Sequence, residues 1–143
     1  MKNKVFFAKR NVMITDPRQI RLNKKWFREW LELHSDSEDD DYKKHAADIL
    51  ETWLNEKMPK LRIGNLFQFD NLKEYDSRKE TIVSSPSFQE VNSKDSRGRP
   101  NAALNHYGKY LASFSTGELR MKLNAKYPPS ARRVIGGTFK KRN

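Results

Sequence analysis

Between Asp41 and Lys57 the residues Ala46, Ile49, Leu50, Trp53 and Leu54 recur at three- and four-residue intervals. That spacing makes one apolar stripe on a helix. The acidic run Asp36 to Asp41 sits at the positive end of this helix's dipole, and Pro59 stops it.

A shorter amphipathic helix is expected over Lys24 to His34, with Trp26, Phe27, Trp30 and Leu31 on one side. The polar link Ser35 to Asp40 is short enough to fold the two helices back on each other. Leu61 to Phe69 reads as an extended link or a brief strand. Asp70 is expected to cap a helix reaching about Thr81, with Leu72 and Tyr75 inward. Ser84-Ser85-Pro86 opens a brief helical turn holding Phe88 and Val91. Asn92 to Pro100 reads as a polar, basic loop.

Pro100 opens a second strong helix to about Ser113, carrying Ala103, Leu104, Tyr107, Tyr110, Leu111 and Phe114, with Gly108 marking a place where another helix comes close. Ser115 and Glu118 have capping-box spacing ahead of a last helix over Glu118 to Lys126, which Pro128 and Pro129 end. The expected fold class is therefore mainly α, a bundle of four to six helices. Val5, Phe6, Phe7, Val12 and Ile14 have the composition of a short N-terminal strand or hairpin. The domain layout is a basic N-terminal arm over 1–22, a helical domain over 23–127 and a flexible basic tail over 128–143, too poor in apolar residues to fold alone.

Charge is sorted along this frame. Residues 1–30 carry nine Lys/Arg against two acids, residues 31–92 eight against fourteen, and residues 93–143 twelve against two, within a formal net charge of +11. A chain needing only solubility mixes its signs. Basic ends around an acidic middle form a footprint for a polyanion, nucleic acid ahead of an anionic membrane surface. With no cysteine, disulfides, thiolate zinc sites and thiol catalysis are excluded. No apolar run approaches membrane-spanning length and no secretory leader is evident, so a cytoplasmic location without membrane contact is expected.

Enzymatic readings lack residues. His34, His45 and His106 have no partner at metal-ligand spacing. The carboxylates of Asp36 to Asp41 lack the glycine and the terminal glutamate of a calcium loop, so they read as a solvated helix start. There is no phosphate-binding glycine loop followed by Lys-Ser/Thr, and Asp70 with Glu80 is only a vague version of a nuclease's acidic cluster. No catalytic, metal or cofactor residue is nominated. The binding reading is richer, and it nominates Lys94, Arg97, Arg99, Lys109, Arg120, Lys122, Lys126, Arg132, Arg133, Lys140, Lys141 and Arg142 as contacts to nucleic acid. Tyr107, Tyr110 and Phe114 lie among these cations, where they either stack on bases or pack in the core, and helical spacing favours the core.

Trp26-Phe27-x-x-Trp30-Leu31, the Tyr42 to Leu54 helix, Phe88-x-x-x-Asn92 and Ala102-Ala103-Leu104-Asn105-x-Tyr107-x-x-Tyr110-Leu111 together give a block that resembles the SAM-like core-binding domain of tyrosine recombinases, in the versions placed ahead of nuclease or ATPase modules of bacterial restriction proteins. The resemblance spans Trp26 to Ala112 and rests on packing positions. It implies a helical bundle that grips duplex DNA, closed by the last of these segments. The segment after the block is too short for a recombinase catalytic domain, and the acidic stretch Asp36 to Asp41 stands where such domains present basic residues. The expected function is thus non-catalytic binding of nucleic acid, DNA ahead of RNA. The alternative is an assembly factor of a phage or mobile element, its acidic middle on one protein partner and its basic ends on another.

Overall fold

The computed structural model describes residues 13–34, 40–95 and 98–129. Helix α1 (Pro17–His34) opens two turns ahead of the expected Lys24. Asp16 starts it, its carboxylate accepting the Arg18 N–H at 2.9 Å, while Pro17 fills a first-turn position that needs no donor. Its buried residues are Gln19, Asn23, Phe27 and Leu31, one every fourth position. The early half of that face is polar, so apolar periodicity does not register it.

Helix α2 (Asp40–Asp48), a π-helical turn (Ile49–Trp53) and α3 (Leu54–Lys57) replace the single expected helix. The Leu54 N–H bonds the Ile49 carbonyl five residues back, which inserts one residue into the turn. Ala46, Leu50 and Leu54 are fully buried, while Trp53 is left half-buried at the surface. Short 3₁₀ turns at Pro59–Leu61 and Leu66–Gln68 then take the place of the link or strand expected there. Leu66 and Phe67 are fully buried, and the Asn65 side chain accepts the Phe67 N–H at 2.9 Å.

Ile14 is buried, and its N–H donates to the Gln68 carbonyl beside a single antiparallel bridge between Met13 and Phe69. The described residues contain no β-strand. Val5 to Val12, the rest of the expected strand or hairpin, lie outside them, as does the segment from Ser130 onward.

Asn71, and not Asp70, caps α4 (Leu72–Val83), accepting the Glu74 N–H at 2.9 Å. Asp70 is turned instead toward Arg120 of a later helix. Helix α5 (Pro86–Lys94) starts as expected on Ser85 and Pro86 but is more than a brief turn. The Ser85 hydroxyl accepts the Phe88 N–H at 3.1 Å. Replacing Ser85 by Ala is expected to cost about 1 kcal/mol in chemical denaturation, the usual worth of an N-cap, and a loss under about 0.3 kcal/mol would mean that water replaces the cap.

Helix α6 (Arg99–Ala112) follows Gly98, which holds φ 63°, in the left-handed region that glycine enters without strain. A Cβ built on Gly108 would lie 3.5 Å from the Tyr75 ring, so α4 approaches α6 there as the glycine suggested. Helix α7 (Glu118–Lys126) forms only half of the anticipated capping box: the Glu118 carboxylate accepts the Ser115 N–H at 2.8 Å, but the Ser115 hydroxyl turns to that same carboxylate. The described residues thus hold seven α-helices against the four to six expected, because the π turn divides one of them and Pro86 opens a full helix.

Helix α6 is the central element. It packs against α1, α2, α4, α5 and the π turn, while α7 lies on α1. Phe27 touches the rings of Phe67, Tyr107 and Tyr110 at centroid distances of 5.5 to 5.7 Å. Through these rings runs a buried polar network. Asn23 donates to the Phe67 carbonyl (3.0 Å) and to the Tyr107 hydroxyl (2.8 Å); Tyr107 donates to the Phe69 carbonyl and Tyr110 to the Asn23 side-chain oxygen (2.7 Å). Tyr75 donates to the Leu104 carbonyl at 2.6 Å. Each hydroxyl is satisfied, as buried polar groups must be to avoid a desolvation penalty. No helix of the described residues is long and apolar enough to cross a membrane.

Candidate nucleic-acid interface

Of the twelve nominated cations, Lys94, Arg99, Lys109, Arg120, Lys122 and Lys126 fall within the described residues; Arg97, Arg132, Arg133, Lys140, Lys141 and Arg142 fall outside them. The six do not behave alike. The Arg99 guanidinium lies 3.0 Å from the Asp41 carboxylate and 3.1 Å from that of Asp95, joining the start of α2 to the start of α6. Arg120 is bonded to Asp70, whose side chain is almost fully buried, and so ties α7 to the entry of α4. Both arginines hold the fold together through carboxylates 50 and 58 residues away.

Lys94 pairs with Glu90 one helical turn back, at 3.4 Å and largely in solvent, a pairing worth little. Lys109, Lys122 and Lys126 are exposed and form no ion pair with a described residue. Among the described residues of the C-terminal third, these three, on α6 and α7, are exposed cations with no acidic partner to compete with a phosphate.

Tyr107 and Tyr110 are fully buried, so base stacking by either is ruled out in this fold, and burial pushes both hydroxyls well above the ordinary tyrosine range. Phe114 is half-buried against Tyr110. Comparison with protein-family models, curated proteins and solved structures finds no match to this chain. The interface therefore has to be argued from its own side chains.

The sequence reading nominates no cation of α1 and assigns Arg18 and Arg21 to the basic arm over 1–22. Arg18 is bonded to Asp16 at 2.9 Å and covers the Tyr127 ring, while Lys24 turns inward between Asp48 (3.0 Å) and Glu51 (2.5 Å). Arg21, Lys25 and Arg28 point away from the core. The signal that would have found them is the four-residue burial period, which follows once Gln19 and Asn23 are allowed as inward residues.

Two surface depressions lie near the acidic partners of Arg99 and Arg120. A cleft of about 230 Å³ lies beside the π turn, lined by Asp41, His45, Asp48, Trp53, Asp95 and Arg99. The larger, of about 610 Å³, lies between the entry of α4 and the α6–α7 connection, with Asp70, Arg120 and Phe114 in its wall. Neither brings three metal-ligating groups together; among the described residues no such group exists. His34 and His45 are used within their own helices, with the Trp30 and Asp41 carbonyls, while His106 bonds the Tyr42 hydroxyl at 2.6 Å across from α6 to α2.

Proposed function

We propose that the protein binds duplex DNA through its phosphate backbone and performs no chemistry itself. The observation carrying this reading is the set Lys109, Lys122 and Lys126, exposed and without a described acidic partner in a segment that holds twelve Lys/Arg against two acids. Lys94 and the basic residues at 97, 132, 133 and 140–142 belong to the same reading from sequence. Burial of Tyr107 and Tyr110 favours phosphate contact over base stacking. The resemblance to the core-binding domain of tyrosine recombinases favours duplex DNA over RNA.

Fluorescence anisotropy with a random duplex, a single strand and a structured RNA tests this. Duplex affinity is expected to fall by about a thousandfold between about 50 and 200 mM salt if some six phosphates are contacted. Deleting residues 130–143, which hold five Lys/Arg, is expected to flatten the log–log slope by as much as about 4. Salt-independent binding would sink the phosphate mechanism, and binding to none of the three ligands would sink the reading as a whole.

A further inference from the structure

The buried residues of α1 occur every fourth position from Gln19 to Leu31, and this fixes which side chains lie opposite. At 100° per residue, Arg21, Lys25 and Arg28 fall within about 40° to 60° of the direction that faces directly away from the buried row. They make a stripe about 10 Å long on the solvent side of the helix. Arg21 and Arg28 form no ion pair with a described residue. Lys25 has one, to Glu29, but it is 3.8 Å long with both side chains more than half exposed, too weak to hold the ammonium. The neighbouring cations are already committed, Arg18 to Asp16 and Lys24 to Asp48 and Glu51.

The stripe also borders a shallow depression of about 400 Å³, whose wall includes Arg21, Lys24, Lys25 and Arg28 with Glu29 and Glu51 as its acids. Lys24 answers Glu51, so Glu29 is the carboxylate of the depression left facing the stripe, with exposed Glu32 one turn beyond Arg28 on the same side of the helix. Such a face has no reason to pack on apolar protein, and its complement is a row of closely spaced negative charges. Successive phosphates on a strand of B-form DNA lie within reach of neighbouring long cationic side chains, so the stripe can meet about two of them on one strand.

We infer that Arg21, Lys25 and Arg28 form a second phosphate-binding surface, on α1, that docks against the backbone of duplex DNA. This inference rests on the DNA-binding reading above and adds a folded element that this reading did not include. B-form DNA suits the face better than A-form RNA does, because its major groove, about 12 Å wide, admits a helix and its flanking cations, whereas the RNA major groove is deep and narrow. The Asn23 network on the opposite side holds α1 to α6 and so gives the stripe a fixed orientation.

The test compares three full-length proteins by duplex anisotropy over a range of salt: wild type, the stripe variant R21Q/K25Q/R28Q, and a control variant K44Q/K57Q/K60Q with the same loss of charge at exposed sites outside α1. Circular dichroism and thermal melting establish that each is folded, and glutamine is nearly as good a helix former as the residues it replaces. The stripe variant is expected to lose roughly ten- to hundredfold affinity near 0.1 M salt and to flatten the log–log slope by about 2, with the control losing under about threefold. Equal losses in both variants overturn the inference, since net charge alone would then account for them. A stripe variant that binds like a tightly binding wild type overturns it and leaves the DNA-binding reading standing. A wild type that binds no duplex, or binds RNA alone, overturns both.

Discussion

Raising the pH from 9 to 11 is expected to remove about 5 kcal/mol of folding stability. Tyr42, Tyr75, Tyr107 and Tyr110 are buried, and desolvation raises the ionisation of each hydroxyl above its ordinary value. In the unfolded chain the same phenols ionise near pH 10. Because the folded values are the higher ones, the contribution is fully present below about pH 10 and is lost as the pH rises past it, by about 1.4 kcal/mol per tyrosine at pH 11. Many small domains have only 5–15 kcal/mol in total, so alkaline unfolding should follow closely. Guanidinium titrations at stepped pH, with tyrosinate absorbance recorded alongside, check this. Stability that stays level to pH 11 while tyrosinate absorbance climbs would show that these hydroxyls ionise in the folded protein, contrary to their burial.

The second large effect is expected at Asn23. Asn23→Leu keeps the branched shape of the side chain, at some cost in overpacking, and removes the donor to the Phe67 carbonyl and the side-chain acceptor of the Tyr110 hydroxyl. Tyr107 keeps its bond to the Phe69 carbonyl, so the Phe67 carbonyl is orphaned and the Tyr110 hydroxyl is left with only a long bond to the Asn23 backbone carbonyl at 3.5 Å. At about 1–3 kcal/mol for each unsatisfied group, a loss of about 3–4 kcal/mol is expected in urea denaturation. Tyr110→Phe orphans only the Asn23 oxygen and should cost about half as much. The double variant should cost less than the sum of the two, since both act on one bond. A loss within about 0.5 kcal/mol for Asn23→Leu would mean that the groups find water, and that the network is not what holds α1 to α6.

Asn23 also explains where sequence reading stopped. The apolar stripe from Ala46 to Leu54, the Ser85-Pro86 start and the inward aromatics of α6 are local patterns, each legible from a few neighbouring residues. The first two turns of α1 were not, because the residues they bury, Gln19 and Asn23, are polar and have partners on α6, on α7, at Tyr127 just after it and in the Leu66–Gln68 turn. Only Asp16-Pro17, a cap followed by a first-turn proline, announced that start in the sequence. The choice between Asp70 and Asn71 as cap was made by Arg120, far along the chain. The π turn has no counterpart in residue spacing, since inserting one residue leaves the apolar stripe almost intact.

For the candidate interface the same division holds. The excess of cations was plain in the sequence, but which of them stay available depends on tertiary pairing. Arg99 and Arg120 look no different from Lys122 until Asp41, Asp95 and Asp70 are placed beside them. Burial settled the role of Tyr107 and Tyr110 in favour of the core, the reading that helical spacing preferred.

The buried network also sets an order of assembly. Asn23 waits for Tyr107 and Tyr110, which follow it by 84 and 87 residues. At synthesis rates of about 5–20 residues per second, roughly 4–17 s pass before the ribosome has made both partners. During that interval the amide of Asn23 can find at most the Phe67 carbonyl, and α1 lacks the Tyr107 and Tyr110 rings that complete the burial of Phe27. The bundle therefore closes late, and nascent chains halted before Tyr110 should remain open to proteases while those that include α6 and α7 become resistant.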